Sequence, residues 1–110
     1  MGHPDPPSVT ADWMDAEQLA INVATSQLDL TVCVPRSELG KIERVRSTDT
    51  RGLRIGTILD APAWWCIDRE AHVLYILGGY DDETWEVGAT LPPSTLEAIL
   101  AEVAAQQARS

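Results

Sequence analysis

No lysine or arginine occurs in residues 1–35, which hold five acids: Asp5, Asp12, Asp15, Glu17 and Asp29. A secretory leader needs a basic start followed by an apolar run, and "MGHPDPPSVT" offers neither. Nowhere does an apolar stretch approach the ~18 residues that a membrane-spanning helix requires. These absences point to a cytoplasmic protein that does not enter a membrane. Cysteine is sparse as well. Cys33 and Cys66 lie far apart, each inside an apparent strand, and in a cytosolic chain they act as small apolar thiols. Together with two histidines, one of them (His3) in a proline-rich tail, they are too few for a zinc site.

The usual catalytic signatures are missing too. There is no G-x-S-x-G, no H-E-x-x-H, no P-loop and no paired C-x-x-C. Each of these places a nucleophile, a metal or a phosphate cradle at a fixed spacing, so their absence removes the commonest hydrolases, zincins and nucleotide-binding proteins. No cofactor and no metal are expected, and the chain is read as a binding protein rather than an enzyme.

What is present is an uneven charge map. Of the net charge of -9, residues 1–35 contribute -5 and residues 55–110 contribute -7. Between them, residues 36–54 carry Arg36, Lys41, Arg44, Arg46, Arg51 and Arg54 against three acids, a net +3. Such a chain repels nucleic acid and anionic membranes over most of its surface and attracts basic partners. The basic segment lacks the interleaved aromatics that stack on bases, so nucleic-acid binding is not expected from it.

With 110 residues, 45% of them hydrophobic, the chain has the length and composition of one globular domain. Residues 1–10 read as a flexible tail and 11–107 as the domain. Asp15 followed by Gln18 has the form of a capping box and predicts a short helix over 15–25. "QLDLTVCV" alternates, with Leu28, Leu30, Val32 and Val34 on one face of a strand. Leu39, Ile42 and Val45, three apart, predict a turn or two of helix. "LRIGTIL" predicts a strand with Leu53, Ile55 and Leu59 sharing a face. "AWWCID" and "HVLYIL" form a hairpin across "REA", with His72 opening the second strand. "TWEVGATL" alternates Trp85, Val87, Ala89 and Leu91 against Thr84, Glu86, Gly88 and Thr90. Ser94, Glu97 and the run Leu96, Ile99, Leu100, Val103 predict a helix over about 94–106. The sum is an α+β fold, a mostly antiparallel sheet of about five strands with a helix at either end.

Four places invite a functional reading. The acids Asp81, Asp82 and Glu83 are adjacent, without the alternate spacing of a calcium loop; they suit a solvated hairpin tip or a docking surface for a basic partner. Cys66, Asp68 and His72 would be the reactive groups if the domain held a small ligand or were an enzyme. The apolar surface matters most. Trp64 and Trp65 are neighbours on one strand and must point to opposite sheet faces. Val73, Tyr75 and Leu77 oppose Leu74 and Ile76 in the same way. A sheet apolar on both faces needs cover on both, and the C-terminal helix can cover one. Either the two weaker helices shelter the other, or a patch around one tryptophan, joined by Tyr80 and Trp13, stays open as a protein interface.

From this follows the expectation of a small acidic inhibitor that binds a basic protein surface through Asp81, Asp82, Glu83, Glu86, Tyr80 and Trp64 or Trp65. Immunity proteins and antitoxins that occlude a toxin's active-site cleft fit that description. A phage-encoded inhibitor, such as an anti-CRISPR or a DNA mimic, shares the same physics. A small-ligand or enzymatic domain and a homo-oligomeric structural protein, such as a homodimer, are the alternatives from other classes.

Overall fold

The structure, a computed structural model, describes residues 7–26, 28–47, 52–79 and 85–109, with the backbone alone for 85–87. It is an α+β fold built on one antiparallel sheet of seven strands in sequence order. The strands are β1 (Ser8–Trp13), β2 (Gln18–Ala24), β3 (Asp29–Pro35), β4 (Leu53–Ile58), β5 (Ala61–Asp68), β6 (Val73–Gly79) and β7 (Trp85–Leu91). A 3₁₀ helix, Arg36–Ser47, joins β3 to β4, and helix α1, Ser94–Arg109, follows β7. No described helix is long and apolar enough to cross a membrane.

Five of the strands are those expected; β1 and β2 are additional. β1 begins inside the stretch read as a tail, pairing Ser8 with Ala24 and Trp13 with Leu19. β2 replaces the expected N-terminal helix over 15–25. The capping signal was real hydrogen-bonding chemistry in another setting: Asp15 Oδ1 accepts from the Glu17 and Gln18 amides at 2.7 and 2.9 Å. That is the contact an N-cap makes, but here it closes the β1–β2 hairpin loop, an Asx-turn. Beyond it Leu19, Ile21 and Val23 are buried while Ala20, Asn22 and Ala24 are half-buried. This period of two, rich in β-branched residues, overrides weak helix propensity.

The inner face of the sheet holds Ala11, Leu19, Ile21, Val23, Leu30, Val32, Val34, Ile55, Ile58, Ala63, Trp65, Leu74, Ile76, Ala89 and Leu91, all in one buried cluster. Both helical elements add to this same cluster. The 3₁₀ helix contributes Leu39, Ile42 and Val45, and α1 contributes Leu96, Ile99 and Val103. The spacing of three explains the unusual length of the 3₁₀ segment. At three residues per turn these side chains fall in one line, whereas at 3.6 they would drift around the axis. α1 returns the chain to its start: the Trp13 indole Nε1 donates to the Gln106 carbonyl at 3.2 Å. The Arg36 guanidinium lies over the Trp13 ring, 4.2 Å from its centroid.

One irregularity shapes the centre. Arg54 pairs with Trp64 but Thr57 pairs with Pro62, so β4 contains one residue more than its partner over this span. Gly56 supplies the bulge, at φ +70°. The expectation that Leu53, Ile55 and Leu59 share a face fails for this reason. The extra residue moves Ile58 into the core and sends Leu59 out, to 86% exposure. The backbone groups around the bulge are satisfied by side chains. Gly56 N donates to Glu38 Oε1 at 3.1 Å, and Trp65 Nε1 donates to the Ile55 carbonyl at 3.0 Å.

A β-carbon at Gly56 would stand 2.4 Å from the Cys33 carbonyl oxygen, a backbone atom that cannot swing away. Combined with the left-handed φ, Gly56→Ala is expected to destabilise the fold by at least about 2 kcal/mol. Urea unfolding followed by tryptophan fluorescence measures it; a loss below about 0.5 kcal/mol would show that the bulge can relax.

Candidate functional site

With both helical elements on the inner face, no described element lies across the other one. Alternation places Trp64, Cys66, Val73, Tyr75, Leu77, Gly88 and Thr90 on that outer face, and all but the exposed Thr90 are half-buried. The ladders arrange them in rows. Arg54, Trp64, Leu77 and Gly88 lie side by side across β4 to β7; Cys66, Tyr75 and Thr90 form the next row. Between Tyr75, Leu77, Gly88 and Thr90 the surface sinks into a depression of about 380 Å³. Gly88 has no side chain to fill its place in the row, which leaves room beside Leu77.

The pleat separates the two tryptophans. Trp65 is fully enclosed and bonds to the Ile55 carbonyl, so it is a core residue. Trp64 lies outside, its Nε1 donating to the Gly79 carbonyl at 3.2 Å. That bond holds the indole down over the end of β6 and offers its ring face to solvent. A ring so fixed has little rotamer freedom to lose on binding, which favours it as an anchor. Trp13 does not join this surface: by alternation with the buried Ala11 it belongs to the inner face, at the far strand β1.

The outer face is chemically divided. Over β2 and β3 it combines the small side chains of Ala20, Ala24 and Cys33 with a polar cluster, in which Asn22 Nδ2 donates to Thr31 Oγ1 at 3.1 Å, across the β2–β3 pair, and to Asp29. Over β5 and β6 it is aromatic and aliphatic. Glu86 is in β7. Tyr80, Asp81, Asp82 and Glu83 lie outside the described residues, in the link from β6 to β7.

Cys66, Asp68 and His72 do not assemble into a reactive centre. Burial, with the Asp68 carboxylate nearby, pushes the Cys66 thiol above its usual pKa, the reverse of what a nucleophilic cysteine needs. Asp68 Oδ1 accepts from the Ala71 amide at 3.0 Å and so braces the β5–β6 turn. His72 does not open a strand; it is an exposed turn residue at φ +56°. Among the described residues no group of three or more His, Cys, Asp or Glu could hold a metal ion. Cys33 faces Thr57, Thr57 faces Pro62, and Cys66 is four positions further along β5. Strand spacing and rise then put the two thiols about 16 Å apart, beyond disulfide reach.

Depth separates the tryptophans energetically. Trp65→Ala is expected to remove about 3–5 kcal/mol of stability, as for a fully buried aromatic. Trp64→Ala should remove about 1–2 kcal/mol, since its outer ring face is already in water. Chemical denaturation of both variants measures the order, and equal losses would contradict the assignment of faces. In the folded protein Cys66 should also react more slowly with iodoacetamide at pH 8 than a free cysteine does, because less of it is thiolate.

Comparison of this chain with family models, with curated proteins and with solved structures gave no match.

Proposed function

We propose that this chain is a protein-binding inhibitor, of the kind represented by immunity proteins and antitoxins, that captures a basic partner on the outer face of β5–β7. The observation that carries the reading is the half-buried cluster of Trp64, Tyr75 and Leu77, from two adjacent rows, on a sheet face that neither helical element covers. Contiguous apolar surface with fixed aromatic rings supplies the short-range part of recognition, since Trp and Tyr dominate interface energetics.

Charge supplies the long-range part. From residue 70 to residue 91 the chain has no lysine or arginine and five acids: Glu70, Asp81, Asp82, Glu83 and Glu86. This stretch spans β6 and β7. Its negative field draws a positively charged partner toward the same half of the sheet that carries the aromatics. A second copy of the chain brings another net charge of -9, which favours a heterologous partner over self-association. A phage-encoded inhibitor of a nucleic-acid-binding enzyme would use the same two forces.

The test is genetic and biochemical. Each gene flanking this one is expressed with and without it, and one product should arrest growth alone and be neutralised by this chain. Trp64→Ala should weaken capture of that product by a hundredfold or more, a hot-spot loss of about 3 kcal/mol. Reversing Asp81, Asp82 and Glu83 to lysine should slow association and flatten its salt dependence, with little change in melting temperature. If no flanking product is bound, or if the Trp64 variant captures it undiminished, the reading is wrong.

A further inference from the structure

Among the described residues the most exposed large apolar side chain is Leu59, at 86%. It occupies the first position of the two-residue turn between Ile58 and Ala61, at φ +50°, followed by Asp60 at φ +68°. Two positive φ values in a row make this the I′ type of hairpin turn, which favours Asn-Gly, Asp-Gly or Gly-Gly. Aspartate tolerates the left-handed region; a leucine there is an outlier. Nothing within the fold rewards this residue, because its backbone is strained and its side chain stands in water.

The tip is also rigid. The ladder resumes immediately behind it with Ile58 opposite Ala61 and Thr57 opposite Pro62, and Ile58 is buried. Two residues further back, Gly56 is fastened to Glu38. The hairpin is therefore held out as a stiff projection. β4 and β6 run in the same direction, so the tip lies at the end of the sheet where β6 reaches Gly79, the residue that fixes the Trp64 indole. Trp64 itself is four residues after Asp60. The tip and the Gly79 anchor of the Trp64 indole thus lie toward the same end of the sheet.

We infer that the Leu59–Asp60 tip is an inhibitory plug that enters a concave site on the partner. The leucine fills an apolar floor and the Asp60 carboxylate meets a basic rim, the chemistry of a cleft that accepts an anionic substrate. Backbone strain concentrates where a side chain is needed for contact rather than for folding, and a preformed tip loses little entropy on insertion. This inference rests on the inhibitor reading and names how inhibition is achieved: β5–β7 hold the partner while the tip blocks its site.

The experiment uses full-length variants and the flanking-gene product neutralised in the co-expression assay. Replacing Leu59–Asp60 by Asn-Gly (L59N with D60G) should move the urea midpoint upward, because the turn then carries the residues it favours. The same variant should raise the concentration needed for half-inhibition of the partner's activity at least tenfold. Leu59→Ala should leave the midpoint near that of the parent, since the strained backbone remains, yet also raise the half-inhibition concentration at least tenfold. A midpoint that does not rise with Asn-Gly removes the strain argument and overturns the inference. Undiminished inhibition by Leu59→Ala also overturns it; if Trp64→Ala still loses the partner, the outer-face reading survives alone. If no flanking product is neutralised, both fall together.

Discussion

The arrangement of this molecule depends on two hydrogen bonds at the β4 bulge: Gly56 N–H to the Glu38 carboxylate and the Trp65 indole to the Ile55 carbonyl. A bulge leaves backbone groups without ladder partners, and burying them unpaired would cost about 1–3 kcal/mol each. Here each partner comes from a different element. Glu38 belongs to the 3₁₀ helix and Trp65 to β5, so satisfying the bulge also fixes the 3₁₀ helix over the sheet centre and the largest core side chain beneath it. The same extra residue decides which side chains downstream face inward. Ile58 goes to the core and Leu59 to solvent because of a glycine three positions earlier.

From that anchoring the distribution of surfaces follows. With the 3₁₀ helix and α1 both committed to the inner face, the described residues offer no further helical element for the outer one. Over β2 and β3 it carries the small side chains of Ala20, Ala24 and Cys33 and a hydrogen-bonded cluster of Asn22, Asp29 and Thr31. Over β5 and β6 it is built instead from Trp64, Val73, Tyr75 and Leu77. Small and polar side chains on one half give way to large aromatic and aliphatic ones on the other, and that contrast sets the aromatic half apart from the ordinary scatter of apolar residues on a protein surface.

Much of this was legible from residue order alone. The period of two in β3, β6 and β7, the periodic run of α1, and the opposition of Trp64 and Trp65 are direct projections of backbone geometry onto sequence. The spacing of Leu39, Ile42 and Val45 even carried the 3₁₀ period, although it was read as ordinary helix. Three features were hidden. β2 was masked by Asp15, whose side chain caps amides in a hairpin loop just as it would in a helix. β1 has only one fully buried residue, Ala11, and its strand character comes from pairing with β2. Which tryptophan faces out depends on where the helical elements settle, a tertiary outcome that no local pattern contains. Gly56 within "LRIGTIL" was the visible trace of the bulge, and with it Leu59 could have been placed at a turn.

The contact between Trp13 and Gln106 has a bearing on how the chain is made. The first strand packs against the last helix, so the apolar side of β1 and β2 has to wait for α1 to be synthesised before it is sealed. During translation the growing sheet exposes Leu19, Ile21 and Val23 next to an unfinished layer, a surface that other nascent chains or chaperones would meet first. A C-terminal truncation within α1 would therefore do more than shorten a helix: it would leave the beginning of the protein permanently in that unsealed condition.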